Sequence, residues 1–455
     1  MTMTVIDLGD VSGPQPERAG SGGPLAGEFR RGTVRRLALA AMAVVCAVAL
    51  GASARPVPPL VHELWSGPIT EQDRIAFDGD TLFLHRYNGW ENVLSALDAA
   101  TGTVRWTRPL GKQVFELDSA ASVGVILLPG DERTVRATNT DGSTTLVTFA
   151  SSVIAIDPAT GRDLWRRSGG YEYTARRDGI LLTDRGDDGM LTRGRLVHPR
   201  TGAVIWERPL PRADSYATEF RHGAPFRLVA VTPAGDVTVL NYADGAPVVT
   251  GRIPWLSGAA AGDGGSSLST APGLLLVNRT EKGSGSVTAY RIDTLDRLWH
   301  RDGDQHLSSH ECGPVVCLVN IDSFQALDPL TGALRWAGSG YPSTFGTSDG
   351  DVLMTSAAGD DTETMVRDAA TGRQRGSAIR GWPAFSTVDA GHVLFLHNSP
   401  PNPAPAAVRR LDLATGGVTL LGDLPLVGSG RCTSAGRYLA CYSAGRLVVS
   451  TVSGG

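Results

Sequence analysis

The sequence predicts an all-β protein, a β-propeller, and two observations carry that prediction. One short pattern recurs eight times: an apolar strand, a polar turn centred on Thr-Gly or its relic, and a second strand that usually carries Trp. What separates the copies is again strand and turn, with 56 Gly and 27 Pro in 455 residues. Each interval has room for four short strands. A repeat of roughly 20–50 residues built only from strands and turns points to blades around an axis.

In chain order, residues 1–36 are polar and rich in Gly and Pro, and they read as a disordered cytoplasmic tail. Residues 37–54 form an apolar run without a charge. It is near the lower limit for a bilayer-spanning helix, where about 20 residues are usual. Arg30, Arg31, Arg35 and Arg36 precede it, which predicts the tail inside and the rest outside. The expectation is a signal anchor at 37–54, a Pro-rich linker at 55–61 and an extracytoplasmic propeller at 62–455, in a single-pass protein of the cell membrane. The competing reading is a cleaved signal peptide, because Ala52, Ser53 and Ala54 form a small-residue cleavage site. Both readings export the propeller. Next, Glu63 to Ser66, with Trp65, reads as an outer strand without partners. It is expected to pair with two C-terminal strands, 436–442 and 446–451, and so close the ring.

The clearest copies of the repeat are Ala96 to Trp106 with Asp98 and Gly102, Ala155 to Trp165 with Asp157 and Gly161, and Ala326 to Trp336 with Asp328 and Gly332. Five more keep phase. Leu196 to Trp206 keeps Gly202 and has His198 in place of Asp. Val239 to Val249 keeps Gly245 and lacks the Trp. Asp293 to Trp299 reads as two residues short, without Thr-Gly. Val366 to Gly376 keeps Asp368 and Gly372 but ends in Gly, and Arg410 to Leu420 keeps Asp412 and Gly416 but ends in Leu. The Asp side chain can cap turn N–H groups and the Gly takes positive φ. The Trp is large enough to bridge to a neighbouring blade. The small Ala ten residues earlier leaves it space.

This spacing, Ala-x-Asp-x-x-x-Gly-x-x-x-Trp, resembles the tryptophan-docking motif of quinoprotein-type (PQQ-like) propellers, over about residues 60–452. That family usually has eight blades. A literal count here gives eight blades plus one shared between the termini, so eight is favoured and nine is allowed.

A net charge of −4 offers no broad basic surface, which excludes general nucleic-acid binding. Lys stands only at positions 112 and 282, and Arg supplies the rest of the positive charge. No phosphate-binding loop, nucleophile elbow or zincin helix motif occurs. Three His, at 300, 306 and 310, fall in one acidic stretch and are candidate metal ligands. Asp78 with Asp80, Asp184 to Asp188, and Asp360 with Asp361 are oxygen-rich turns that Ca²⁺ can use. In each case the simpler reading is a solvated loop. Cys46 sits alone in the apolar run. The other Cys form two close pairs, Cys312 with Cys317 and Cys432 with Cys441, each where two adjacent strands should form a hairpin.

Two functions compete. The favoured one is a non-catalytic binding scaffold whose propeller face holds an unidentified protein or envelope ligand, with neither cofactor nor catalytic or metal residues. The resemblance supports it, because the propeller lipoprotein of the outer-membrane barrel-assembly machinery is similar in its repeat and is a scaffold. The alternative is a PQQ-dependent dehydrogenase with a Ca²⁺ site. Members that use PQQ carry two adjacent Cys beside the cofactor, and no two Cys are adjacent here. Non-reducing peptide mapping of the exported chain should recover the linked peptides of Cys312–Cys317 and Cys432–Cys441; free thiols at all four positions would place these Cys off facing strands.

Overall fold

The computed structural model describes Met42 and residues 60–87, 92–110, 123–138, 144–171, 179–221, 223–257, 264–321, 323–347, 350–356, 363–384, 391–398, 405–424, 432–443 and 445–453. The tail, the apolar run and most of the linker lie outside these residues, apart from Met42. Among the described residues no helix is long and apolar enough to cross a membrane.

Nine antiparallel sheets follow one another among the described residues. Blades one to eight span 74–109, 126–168, 170–213, 215–252, 264–304, 308–339, 341–380 and 382–424. The ninth joins the two ends of the ring: Val61–Pro68 is its outer strand, beside Arg446–Val452, Tyr438–Ser443 and Cys432–Ala435. The count is therefore nine, and the eight favoured from the sequence is corrected. The eight corners belong to eight separate blades. The terminal strands do not complete one of those blades; they form a further full sheet. Within it Trp65 lies opposite Val449, and the register slips between Glu63 and Trp65. The same slip precedes Trp165 in blade two. The closing strand thus repeats the local geometry of an ordinary outer strand, and the pairing leaves neither terminal strand without a partner.

Blade two carries an insertion. The hairpin of Glu132–Thr138 with Thr144–Ala150 forms a separate two-stranded sheet between two strands of that blade. It accounts for the long interval from Trp106 to Trp165. Arg133 pairs with Asp187 in blade three, and the Arg185 guanidinium lies 5.8 Å from the Phe149 ring centroid.

The core is divided into wedges between blades. One wedge sets Val153, Ala155 and Trp165 of blade two against Ile180, Leu182 and Val197 of blade three. Another sets Leu276, Ala289 and Trp299 of blade five against Val316, Leu318 and Leu327 of blade six. At the inner side, the first strands of neighbouring blades meet: Ser215–Arg221 with Gly264–Ala271, that strand with Ser308–Cys312, and that in turn with Tyr341–Thr347.

The repeat residues join the blades. The indole N–H of each motif Trp donates to a carbonyl in the corner of the next blade: Trp65 to Ala99 (2.9 Å), Trp106 to Pro158 (2.9 Å), Trp165 to Pro199 (2.6 Å), Trp206 to Tyr242 (2.7 Å), Trp299 to Pro329 (2.8 Å) and Trp336 to Ala369 (3.1 Å). Each ring lies flush against the corner glycine, so a Cβ added at Gly102, Gly161, Gly202, Gly245, Gly332 or Gly372 would come within 2.4–2.8 Å of a Trp ring atom. The Ala ten residues earlier is the cross-strand partner of its Trp, as in Ala96 with Trp106 and Ala326 with Trp336, and is fully buried. Four Arg two residues after the Trp reinforce the joint: Arg108, Arg167, Arg208 and Arg301 donate to the carbonyls of Gly161, Gly202, Gly245 and Gly332.

The corners are closed by their Asp. Asp98 Oδ1 accepts from the N–H groups of Ala100 and Thr101 and from the Thr101 hydroxyl; Asp328 repeats all three contacts, and Asp368 and Asp412 repeat the two from Thr. Hydrogen bonds from Arg105 and Thr101 hold the Asp98 carboxyl below its ordinary range.

One corner differs from the sequence expectation. The copy ending at Trp299 has full length: Arg291 stands in the Asp place, where its N–H donates to Asp296 O, and Leu295 stands in the Gly place. Leu295 adopts φ +60°. The reason lies in the blade before it. Blade four brings Val249 to this joint instead of Trp, and Leu295 packs over Gly251 in the space left. Blades seven and eight solve the same problem with two glycines, Gly376 lying directly against Gly416.

These contacts set the cost of a methyl group at a corner. Gly161→Ala adds a Cβ at φ +69°, 2.6 Å from Trp106. It should destabilise by about 2–4 kcal/mol, combining left-handed strain with overpacking. Gly436→Ala, at φ +52° with nothing within 4 Å, should cost only about 1 kcal/mol. Denaturant melts of the two variants compare them directly; equal losses would mean that the indole contact carries no packing energy.

Candidate functional site

The candidate metal stretch is taken apart by the fold. His300 lies on the outer strand Arg297–Asp304 of blade five, bonded to Thr288 and Asp302. His306 is in the following turn beside Gln305. His310 is on the inner strand Ser308–Cys312 of blade six. The stretch crosses from the outside of one blade to the inside of the next, so the three imidazoles do not converge. The oxygen-rich turns are engaged in ion pairs. Asp80 pairs with Arg105, Asp184 with Arg193 and Arg195, and Asp188 with Arg212. Asp360 and Asp361 lie outside the described residues. Both Cys pairs are disulfides, with Cα atoms 5.8 Å apart for Cys312–Cys317 and 4.2 Å for Cys432–Cys441.

Sequence reasoning missed the charges on and beside the inner strands of blades four and six. Glu219, on Ser215–Arg221, is fully buried. A carboxylate there needs partners, and they come from two blades. Its Oε1 accepts from the N–H of Gly273 in blade five (2.7 Å) and from Arg221 Nε (2.8 Å), while Arg227 Nε stands 3.9 Å from Oε2. Arg227 also pairs with Asp293 in the corner of blade five. Thr270 donates to Thr218 O across the same joint. The Arg221 guanidinium covers the Phe226 ring at 3.9 Å. Glu219 therefore ties two blades together.

Glu311 lies on the inner strand of blade six, one residue before its Cys312 end, and among the described residues its carboxyl has no such partner set. Burial pushes its carboxyl up to about 7, with the Asp351 and Glu219 carboxylates adding to the effect. Asp351 belongs to blade seven and lies against Gly313. Next to Glu311, burial holds the His310 imidazole below its ordinary value. The inner strand of blade six thus carries a carboxyl raised to about 7 next in sequence to an imidazole whose protonated form burial disfavours. The only sequence signal for either Glu is an acid near the end of the first strand of a blade, which reads equally well as a solvated hairpin.

The sign for Glu311 follows from linkage. The folded value lies above the ordinary 4.5, so the native state holds a proton that the unfolded state has released. The contribution of this one group to stability is full below pH 4.5 and is lost as the pH rises through about 7. Glu311→Gln should flatten that decline and stabilise the protein at pH 8, by on the order of 1–2 kcal/mol once solvent screening is allowed for. Thermal melts from pH 4.5 to 8 test it; parallel profiles for variant and parent would show that Glu311 titrates normally.

The family model described as outer membrane protein assembly factor BamB, a PQQ-like repeat model, matches residues 31–226 and 195–419. No curated protein matches the sequence. Among solved structures, BamB from Moraxella catarrhalis aligns over 68% of this chain and 95% of its own, at 15% identity and a TM-score of 0.35. A structure described as the eukaryotic initiation factor aligns over 79% of this chain and 90% of its own, at 11% identity and a TM-score of 0.48. A europium-containing methanol dehydrogenase aligns over 86% and 93%, at 14% identity and a TM-score of 0.37.

Proposed function

The chain belongs to the PQQ-like repeat family described as outer membrane protein assembly factor BamB, and from that premise we propose that it is a non-catalytic scaffold that binds a protein partner outside the cytoplasm. One observation carries the reading: the polar chemistry of the repeat is used inside the ring. The recurring Asp caps its own turn, and the recurring indole N–H serves the next blade. What remains for function is surface, which suits a binding protein better than an enzyme.

A PQQ site does not fit the residues present. The chain has no adjacent Cys, and four of its five Cys join facing strands of single blades. Asp98, Asp328, Asp368 and Asp412, repeated at four corners, are held by local N–H groups. For location, the Arg-flanked apolar run at 37–54 supports export with a retained anchor. Two disulfides suit an oxidising compartment.

The full chain, cross-linked in its host and purified from membranes, should retain one envelope protein in stoichiometric amount, and calorimetric titration with PQQ and Ca²⁺ should give no binding heat. Tight PQQ binding with substrate-dependent dye reduction would make it an enzyme and end the scaffold reading.

A further inference from the structure

The inner hairpin of blade six brings together three donors that the scaffold role does not use. His310 and Cys312 are two residues apart on Ser308–Cys312, so they share a face of the sheet. Cys317, on Val315–Val319, lies directly opposite His310 in the register. A ring nitrogen of His310 and the two sulfurs all fall within 4.8 Å of one another. Among the described residues this is the one such group of His, Cys, Asp or Glu donors. The second disulfide, Cys432–Cys441, has no such companion there.

The imidazole is already set as a metal ligand sets it. It hydrogen-bonds to the backbone of Pro342, whose carbonyl can only accept. Its Nε2 is buried without a hydrogen-bond partner among the described residues. Nδ1–H is therefore the donor and Nε2 carries the lone pair, the tautomer that a backbone carbonyl fixes in many metal-bound imidazoles. The ring is held flat by Tyr341, stacked at 5.3 Å and 23°. Both sulfurs are fully buried among Val315, Phe324, Ala326 and Leu353. Two thiolates and a divalent ion would be neutral together, which such an apolar wall accepts better than free thiolates.

We propose that the Cys312–Cys317 hairpin, once reduced, is a soft-metal site in which His310 Nε2, Cys312 Sγ and Cys317 Sγ bind a thiophilic divalent ion such as Zn²⁺, leaving one position open. Two thiolates and one imidazole are an established zinc donor set with an open fourth position. The disulfide is the metal-free, oxidised form. In the exchange a dithiol reductant supplies two electrons: its own S–S bond forms as the Cys312–Cys317 bond breaks. The ion then takes both sulfurs as thiolates, and two protons pass to solvent. Oxidation by a disulfide of the surroundings reverses each step and releases the ion.

The test uses the full chain, reduced and held in anaerobic phosphine buffer, with Co²⁺ as the spectroscopic probe. Reduced protein should take up one Co²⁺ that shows thiolate-to-metal charge transfer and tetrahedral d–d bands, and the disulfide form should show neither. Cys312→Ser/Cys317→Ser should lose the bands although Cys432 and Cys441 remain. His310→Ala should weaken binding at least about tenfold while keeping the β-sheet circular dichroism. The proposal fails if reduced protein binds no Co²⁺, folded or not. It fails equally if the bands survive in the double Ser variant, or if His310→Ala binds as tightly as the parent.

Discussion

Six of the nine joints described in this ring rest on one contact, an indole laid on a glycine of the next blade with its N–H bonded to a neighbouring carbonyl. The contact is directional, because the hydrogen bond fixes the height of the ring and the glycine fixes its approach. It is also apolar in bulk, since Trp165, Trp206 and Trp299 are each less than 10% exposed. A blade alone is a twisted sheet with two apolar faces. It is stable only between neighbours, so the joint is the unit of stability and the wedge between blades is the core.

The constraint shows most clearly where the Trp is missing. At the joint of blades four and five the smaller Val249 leaves space, and Leu295 fills it from the corner side at the expense of a left-handed backbone. At the joint of blades seven and eight nothing large remains, and Gly376 and Gly416 bring the two backbones together. At the same four-five joint, Glu219 and Arg227 add charge-assisted contacts to Gly273 and Asp293. The joint that lost its indole gained an electrostatic tie.

The same economy separates structure from chemistry. The conspicuous residues of the sequence, the Asp, Gly and Trp of the repeat, hold the ring together. The groups left with unsatisfied chemistry are inconspicuous: a desolvated Glu311, a His310 with a buried lone pair, and two sulfurs beside it. All stand on the inner strand of blade six or its hairpin partner.

Some of this was legible from the residues alone. Asp98 to Trp106 and its clear copies determine a corner, its cap and its Trp, because turn geometry and spacing are local. Cys432 with Cys441 and Cys312 with Cys317 determine hairpin disulfides for the same reason. The ring's closure by Trp65 was readable because an outer strand without partners must find some. The blade number was not, since eight and nine blades share the same corner and differ only in how the terminal strands are grouped. The full length of the Leu295 corner was hidden because a leucine there becomes tolerable only when the blade before it lacks a Trp. The placing of Glu219, Glu311 and His310 was hidden too: an inner strand faces two neighbouring blades, and whether its acid meets an N–H group or another carboxylate depends on residues 40 or 50 positions away. Sequence decided what the corners with Asp and Gly are; tertiary structure decided the Leu295 corner and what each inner strand faces, because only the packing of neighbouring blades brings those residues together.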